Sequence, residues 1–381
     1  FFENAGWERP QWYGANEQLL ASGPIGPERS GWTARYWSPI IGAEHRAARE
    51  RVAMFDLTPF GKIDVTGPGA LAFLQRVTAN QMDQPIGRIT YTAMLDAAGT
   101  FVGDLTVTRL GPRHFRMITA GSTLFHDLAW LQRNLPEDGS AQLHDVSSAY
   151  CCVGLWGPRA REVVRRVSTD DWSPETFPYF SARRMTIGHV PVLASRLSYV
   201  GEQGWEIYAP TEYGRALWDT LWEAGQPFGI VPAGGGSFET LRLEKGYRLW
   251  GADIHTDYNP YEAGLGFAVR LKKGDFIGRA ALERIRAEGV RRKLCCVTLD
   301  DPAVVVMGKE PIYDGRGDRI LGYVTSANYG YSVGKSIVYG YLPVEHAVEG
   351  AKVKVYFFGD LHDATVTKEP LYDPEGSRLK S

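Results

Sequence analysis

Cysteine is scarce in this sequence, with four in 381 residues, standing as two adjacent pairs, Cys151-Cys152 and Cys295-Cys296. Neighbours on a strand point to opposite faces, so neither pair makes the C-x-x-C clip of a zinc or redox site. All four are expected as reduced core residues of a cytoplasmic protein, or of a mitochondrial-matrix protein in a eukaryote. An excess of one charge is also missing. The net charge of −2 gives no basis for nucleic acid or an anionic membrane as partner. No apolar run approaches the roughly 20 residues of a membrane helix. The N-terminal FFENAGWERPQWYG lacks a basic segment followed by an apolar one, so no signal peptide is expected there. The first residue is not Met, as expected of a processed chain or an excised piece.

Several signatures stop short. Gly334-Lys335-Ser336 resembles the end of a phosphate loop, but the first Gly of that motif would fall at Tyr329, and Ile337-Val338-Tyr339 reads as strand. Gly234-Gly235-Gly236 is not a dinucleotide fingerprint. There is no G-x-S-x-G elbow. Asp253, His255 and Asp257 alternate as metal ligands on a strand could, but Tyr258-Asn259-Pro260 follows, and the run reads as a solvated loop with no metal.

What is present is an ordinary globular balance, 44% hydrophobic and 23% charged, over a length that suits two or three domains of about 150 residues. Residues 1–40 read as an extended segment laid over a folded body. Residues 41–290 read as two α+β units, and 291–381 as a β-rich domain of short runs punctuated by Gly and Pro. An internal echo supports the two units. TGPGALAFLQRVT (66–78) matches WGPRAREVVRRVS (156–168), about ninety residues later. Each begins with Gly-Pro at a helix start, follows a strand-like run, and precedes a hairpin. The first hairpin is 91–96 with 100–107; the second is 195–200 with 205–210. Helices are expected over 43–53, 122–134, 212–225 and 278–287.

Two acids fall inside these strands. Asp104 stands mid-strand in TFVGDLTV, where Asp is disfavoured. It lies either on a wet face or in a partly apolar cleft, where desolvation would raise its pKa and suit it to proton exchange with an amine. Glu206 alternates away from Trp205 and Ile207. It is either an ordinary outward residue or a carboxylate accepting paired hydrogen bonds from a flat heterocycle with an amino group beside a ring N–H. Tyr91, Tyr199, Phe60 and Phe267 could line a flat apolar slot near both acids.

These segments together resemble a known family. MLDAAGTFVGDLTV (94–107), YVGEQGWEIY (199–208), LRLEKGYRLWGADI (241–254), PYEAGLGFAV (260–269) and VGKSIVYGYLP (333–343) are similar, in order, to the aminomethyltransferase, or glycine cleavage T-protein, family. The likeness runs from about residue 40 to the C-terminus. GWERPQWYG resembles the segment joining the flavin and folate halves of dimethylglycine and sarcosine dehydrogenases, and GRITYTAMLDAAGTFVGDLTVTRL also leans towards those enzymes. The resemblance implies an α+β, three-domain cloverleaf with a central tetrahydrofolate channel and a C-terminal barrel-like domain. It implies that Asp104 faces the folate nitrogen that takes up the carbon and is catalytic. Glu206 would grip the pterin, and Tyr91, Tyr199, Phe60 and Phe267 would line the slot. One position departs: where the T-protein has an Arg contacting the pterin, this chain has Phe238. The implied activity is tetrahydrofolate-dependent one-carbon transfer (demethylation) from a small methylated amine or related donor, with a flavin-dependent dehydrogenase domain or subunit as a possible partner. A stand-alone folate-dependent O- or S-demethylase and a non-catalytic folate-binding module are the alternatives.

Overall fold

A computed structural model of the chain describes residues 1–4, 6–23 and 25–381. The first forty residues hold a small hairpin, β1 (Phe2–Asn4) and β2 (Trp7–Arg9), and two 3-10 segments, Gly14–Ser22 and Gly31–Ala34. They are laid over the body rather than apart from it: Glu44 accepts from the Tyr13 N–H and the Asn16 amide, each at 2.8 Å.

Helix α1 (Pro39–Glu50) starts four residues earlier than the sequence pattern suggests. Ser38 caps it, its hydroxyl accepting from the Ile40 N–H, and Pro39 sits where no N–H is needed. It ends early because VAMFD begins a strand, β3 (Val52–Asp56), that is buried on both faces.

Two units of one topology follow. The first is β4 (Gly61–Thr66), α2 (Ala70–Val77), β5 (Ile89–Leu95), β6 (Phe101–Gly111), β7 (His114–Thr119), α3 (Leu124–Arg133) and β8 (Gln142–Asp145). The second is β9 (Tyr150–Trp156), α4 (Ala160–Val167), β10 (Ser181–Ile187), β11 (Val190–Arg196), β12 (Gly204–Pro210), α5 (Gly214–Gly225) and β13 (Ile230–Pro232). Their sheets run β5-β6-β7-β4-β8 and β10-β11-β12-β9-β3-β13. The echoed Gly-Pro has a physical cause in both. Gly67 (φ +110°) and Gly157 (φ +139°) turn strand into helix so tightly that a Cβ would strike a backbone carbonyl, of Ser140 in one and Arg51 in the other.

The strand-by-strand match corrects one expectation. The counterpart of β5–β6 is β10–β11, so the second hairpin, β11–β12, sits one strand further along its unit. Its first strand also ends at Arg196 instead of running to 200. Ser198 folds the chain there, its hydroxyl accepting from the N–H groups of Val200 (3.2 Å) and Gly201 (3.0 Å), while the Trp156 indole holds the Leu197 carbonyl at 2.8 Å.

Helices α6 (Gly235–Glu244) and α7 (Arg279–Glu288) lead to a closed six-strand barrel: β14 (Arg292–Leu299), β15 (Pro311–Asp314), β16 (Ile320–Gly330), β17 (Lys335–Pro343), β18 (Lys352–Phe357) and β19 (Asp360–Thr367). Closure removes the sheet edges. The Gly334-Lys335-Ser336 run is the tight turn into β17. The tail then returns over α6 and ends in a helical turn, Ser377–Lys380. All four cysteines are buried and free. No helix among the described residues is long and apolar enough to cross a membrane.

The outer face of each unit's sheet packs on its own helices, with Trp205 and Ile207 in one core and Val65, Val107 and Phe115 in the other. A further core joins the inner faces. Phe55, Cys152, Trp156 and Tyr208 of the second sheet pack there with Ile118 of the first, and with Phe60, Leu193 and Phe238.

Candidate active site

Asp104 lies on β6 opposite Ala93, diagonal to Tyr91 on the same face. The Tyr91 phenol donates to its Oδ2 at 3.0 Å. Asp104 is half-buried, and burial pushes its pKa up to about 6 against the opposing pull of the Tyr91 hydrogen bond. The Asp127 carboxylate adds to the push from behind Gly103, whose missing Cβ would stand 3.0 Å from Asp127 Oδ1. Burial keeps Tyr91 well above the ordinary phenol range, so it remains a donor. Phe267 stacks on Tyr91 with centroids 6.0 Å apart and is itself 60% exposed.

Glu206 lies on β12 between Ser195 and Gly154. The outward reading fails here: it is 5% exposed, because its side of the sheet is the inner face that carries Tyr208, Cys152 and Leu193. The Tyr208 hydroxyl donates to Oε2 at 2.5 Å, and it is the one side-chain partner found among the described residues. Burial pushes the carboxyl up to about 7, with Tyr208 opposing. A buried carboxylate has room for several donors, and most of that capacity is open.

Tyr199 joins the two regions. It sits in the loop after β11, donates to the Arg248 carbonyl at 2.6 Å, and stacks between Phe238 (5.3 Å) and Tyr247 (5.7 Å). Burial raises its pKa first, and the Asp104 charge adds to that. Burial also lifts the Tyr179 phenol to about 12, with the Glu206 charge contributing. Phe60 packs beside Phe238 in the shared inner core. Its carbonyl, with those of Thr58 and Ser147, accepts from the buried Lys62 ammonium at 2.9, 2.9 and 3.2 Å, which fixes the loop that carries the ring. Tyr199 thus links the two surroundings: it lies close enough to Asp104 and Tyr91 for their charges to act on one another, and its ring stacks on Phe238, which packs with Phe60 in the inner core.

The arrangement fits a flat, uncharged heterocycle with adjacent N–H donors. Glu206 offers paired acceptors, the aromatic faces offer stacking, and among the described residues no cation pairs with either acid. No group of three or more His, Cys, Asp and Glu among them could hold a metal. Asp253 is not in a solvated loop, as its sequence context suggests. It is buried, accepting from Arg242 at 2.7 Å and the Thr325 hydroxyl at 2.6 Å. His255 packs tilted against Tyr258 with ring centroids 4.4 Å apart, and Asp257 is exposed.

Residues 1–273 match the GCVT N-terminal domain, and residues 292–373 match the glycine cleavage T-protein C-terminal barrel domain. The chain belongs to the aminomethyltransferase family. An aminomethyltransferase of Symbiobacterium thermophilum is 37% identical over 90% of this chain and 92% of its own length. Human mitochondrial dimethylglycine dehydrogenase is 34% identical over 99% of this chain, which spans 43% of that protein. The glycine cleavage aminomethyltransferase structure from Bartonella henselae superposes with a TM-score of 0.81 over 94% of this chain and 97% of that one, at 24% identity, which speaks to the fold. Aminomethyltransferases of this family are folate-dependent one-carbon transferases and bind tetrahydrofolate.

Phe238, at the position where the resemblance implied an Arg, stacks on Tyr199 and lies tilted against Phe55 and Trp156. Sequence reasoning missed Tyr208, although W-E-I-Y puts it two residues from Glu206 and so on the same face. Tyr247 carries no comparable signal because its partner Tyr199 is distant in the chain, and Lys62 none because its partners are backbone carbonyls, which every residue offers.

Proposed function

We propose that this protein transfers a one-carbon unit from a small methylated amine, or a related donor, to tetrahydrofolate held between two walls, Tyr91, Asp104 and Phe267 on one side and Phe60, Phe238 and Glu206 on the other, with Tyr199 common to both. The observation that carries the reading is the pair of acids in one aromatic-lined region. Both have raised pKa values, both are held by a single tyrosine, and neither is neutralised by a cation. Structural ion-pair networks do not look like this, whereas sites built for proton exchange and neutral-ring recognition do.

In this reading the bound folate supplies the nitrogen that accepts the carbon. Glu206 accepts the pterin amino and ring N–H donors with its unfilled lone pairs, and Tyr208 keeps its orientation. Tyr199, Phe60, Phe238 and Phe267 stack on and enclose the flat ring system and exclude water, which protects a reactive carbon. Asp104 takes the proton released at the amine nitrogen. Its pKa near 6 makes it an effective base at neutral pH, and Tyr91 fixes Oδ2 so that Oδ1 faces the reacting nitrogen.

The chain spans less than half of dimethylglycine dehydrogenase. That overlap supports a flavin-dependent dehydrogenase domain or subunit as the source of the oxidised carbon. A methyl amine must lose two electrons before its carbon can pass on at the methylene level, and none of the residues above is an electron acceptor.

Titration calorimetry of the purified protein with tetrahydrofolate tests the binding half. Saturable heat is expected without added metal or flavin, and no heat ends the reading. Carbon transfer from a panel of methylamines, methyl ethers and sulfonium compounds tests the other half. Binding without transfer from any of them would leave a folate-binding module.

A further inference from the structure

Tyr199 depends on a residue that belongs to neither wall. Its hydroxyl donates to the backbone carbonyl of Arg248, at 2.6 Å. The side chain of the same residue is held at all three of its nitrogens. The guanidinium makes paired hydrogen bonds to Glu369, Nη1 to Oε2 at 2.9 Å and Nη2 to Oε1 at 2.7 Å, with Nε on the Ala263 carbonyl at 3.0 Å and Nη1 also on the Gly246 carbonyl. Glu369 follows the last barrel strand, so the partner comes from 121 residues away. Two glycines leave room for the pair. A Cβ at Gly246 (φ +69°) would stand 3.0 Å from Glu369 Oε2, and one at Gly264 (φ +73°) would stand 3.0 Å from Arg248 Nη2.

The rest of the tail grips the same region. Asp373 pairs with Lys245 at 3.0 Å. Tyr372 and Arg378 bind Glu202, at 2.7 and 2.8 Å, at the end of the Tyr199 loop. Both segments that meet at the Tyr199–Arg248 hydrogen bond are therefore held from outside by residues beyond the barrel.

We propose that Glu369 is a positioning residue for folate: by clamping Arg248 it fixes the carbonyl that orients Tyr199 against the ring. A bidentate carboxylate–guanidinium pair is the arrangement that fixes direction as well as contact, and neither Gln nor Lys reproduces it. The proposal rests on Tyr199 lining the folate site, as proposed above.

The test measures the tetrahydrofolate Kd by calorimetry and the melting temperature of the ligand-free protein. Wild type is measured first; if it binds no folate, the folate reading fails and takes this proposal with it. If it binds, Glu369→Gln is expected to raise Kd about tenfold and to leave the ligand-free Tm within about 3 °C. Tyr199→Phe is expected to raise Kd as well. Adding Glu369→Gln to Tyr199→Phe should change Kd by less than about twofold, because both act through one contact. An unchanged Kd in Glu369→Gln overturns the proposal, and so does a full tenfold loss in the Tyr199→Phe background, which would mean that Glu369 acts elsewhere. If Glu369→Gln does not fold, Arg248→Lys decides by the same Kd, since it keeps the charge and loses the paired geometry. Wild-type binding by Arg248→Lys, or failure of both variants to fold, assigns the pair to stability alone.

Discussion

The two sheets share a topology and each presents one acid on its inner face, yet the acids are not equivalent. Asp104 stands on the second strand after α2 and Glu206 on the third after α4. This shift of one strand leaves Asp104 half-buried, its partner Tyr91 stacked on a ring, Phe267, that is largely in solvent, and puts Glu206 under the inner core where the two sheets meet. Burial raises both pKa values, to about 6 and about 7. The difference lies in access. A half-buried acid that a bound donor can reach suits chemistry, and a buried one suits recognition of a ring laid against it. In the proposed reading, a repeated fold places two like groups in unlike roles by moving one of them a single strand along.

The strongest way to break this division is at Asp104. Asp104→Asn keeps the shape and the Tyr91 contact but removes the base. Turnover at saturating folate and donor should fall about 10²–10⁴-fold, with folate Kd changed only modestly. A variant that transfers carbon within a few-fold of wild type would leave Asp104 with no catalytic part.

Glu206→Gln should do the opposite. Folate affinity should fall roughly 10- to 150-fold, the equivalent of about 1.5–3 kcal/mol for hydrogen bonds to a charged group. Turnover of the saturated enzyme should hold, because the contact is made equally in ground and transition states. The ligand-free protein should gain stability. Folded Glu206 titrates near 7, above its usual 4.5, so the folded chain binds more protons between those values and loses stability as pH rises through them. The variant's melting temperature should exceed wild type's by a few degrees at pH 8, and the gap should close as pH falls below 4.5. An equal fall in affinity and turnover would refute the split.

The pH profile sharpens the comparison without mutation. Turnover of the saturated enzyme should decline about tenfold per pH unit below an apparent pKa near 6, as Asp104 takes up its proton. The limb should vanish in Asp104→Asn and persist in Glu206→Gln. A limb that persists in Asp104→Asn belongs to another group.

Much of this was legible in the sequence and some was not, for identifiable reasons. The Gly-Pro echo was readable because each glycine meets a backbone carbonyl that no side chain could tolerate. The β-rich end was readable from its short runs punctuated by Gly and Pro. Asp104 stood out because strands disfavour Asp. The burial of Glu206 was not readable, since alternation says which face a residue shares and not what covers that face. Asp253 was misread for the same reason: its partners Arg242 and Thr325 come from α6 and β16. The Arg248–Glu369 pair was invisible because its halves lie on opposite sides of the whole barrel sequence.

The finest test concerns Tyr208. Its hydroxyl is the one side-chain donor to Glu206 among the described residues, and it opposes the upward push of burial. Tyr208→Phe removes that opposition and leaves the ring packed in the inner core. The Glu206 pKa should then move higher still, and the carboxylate should be protonated over more of the working range. In the proposed reading folate needs the charged form to accept its paired N–H donors, so affinity should weaken as pH falls through the Glu206 pKa in both proteins, with the midpoint displaced to higher pH in Tyr208→Phe. At pH 9, where Glu206 is largely ionised in both, the two Kd values should agree within about threefold, and at pH 7 they should separate more widely. A Kd profile with an unshifted midpoint would mean that Tyr208 does not govern the ionisation of Glu206. A profile flat from pH 6 to 9 in wild type would mean that folate does not read the Glu206 charge, and would remove the basis for calling this the recognition half of the site.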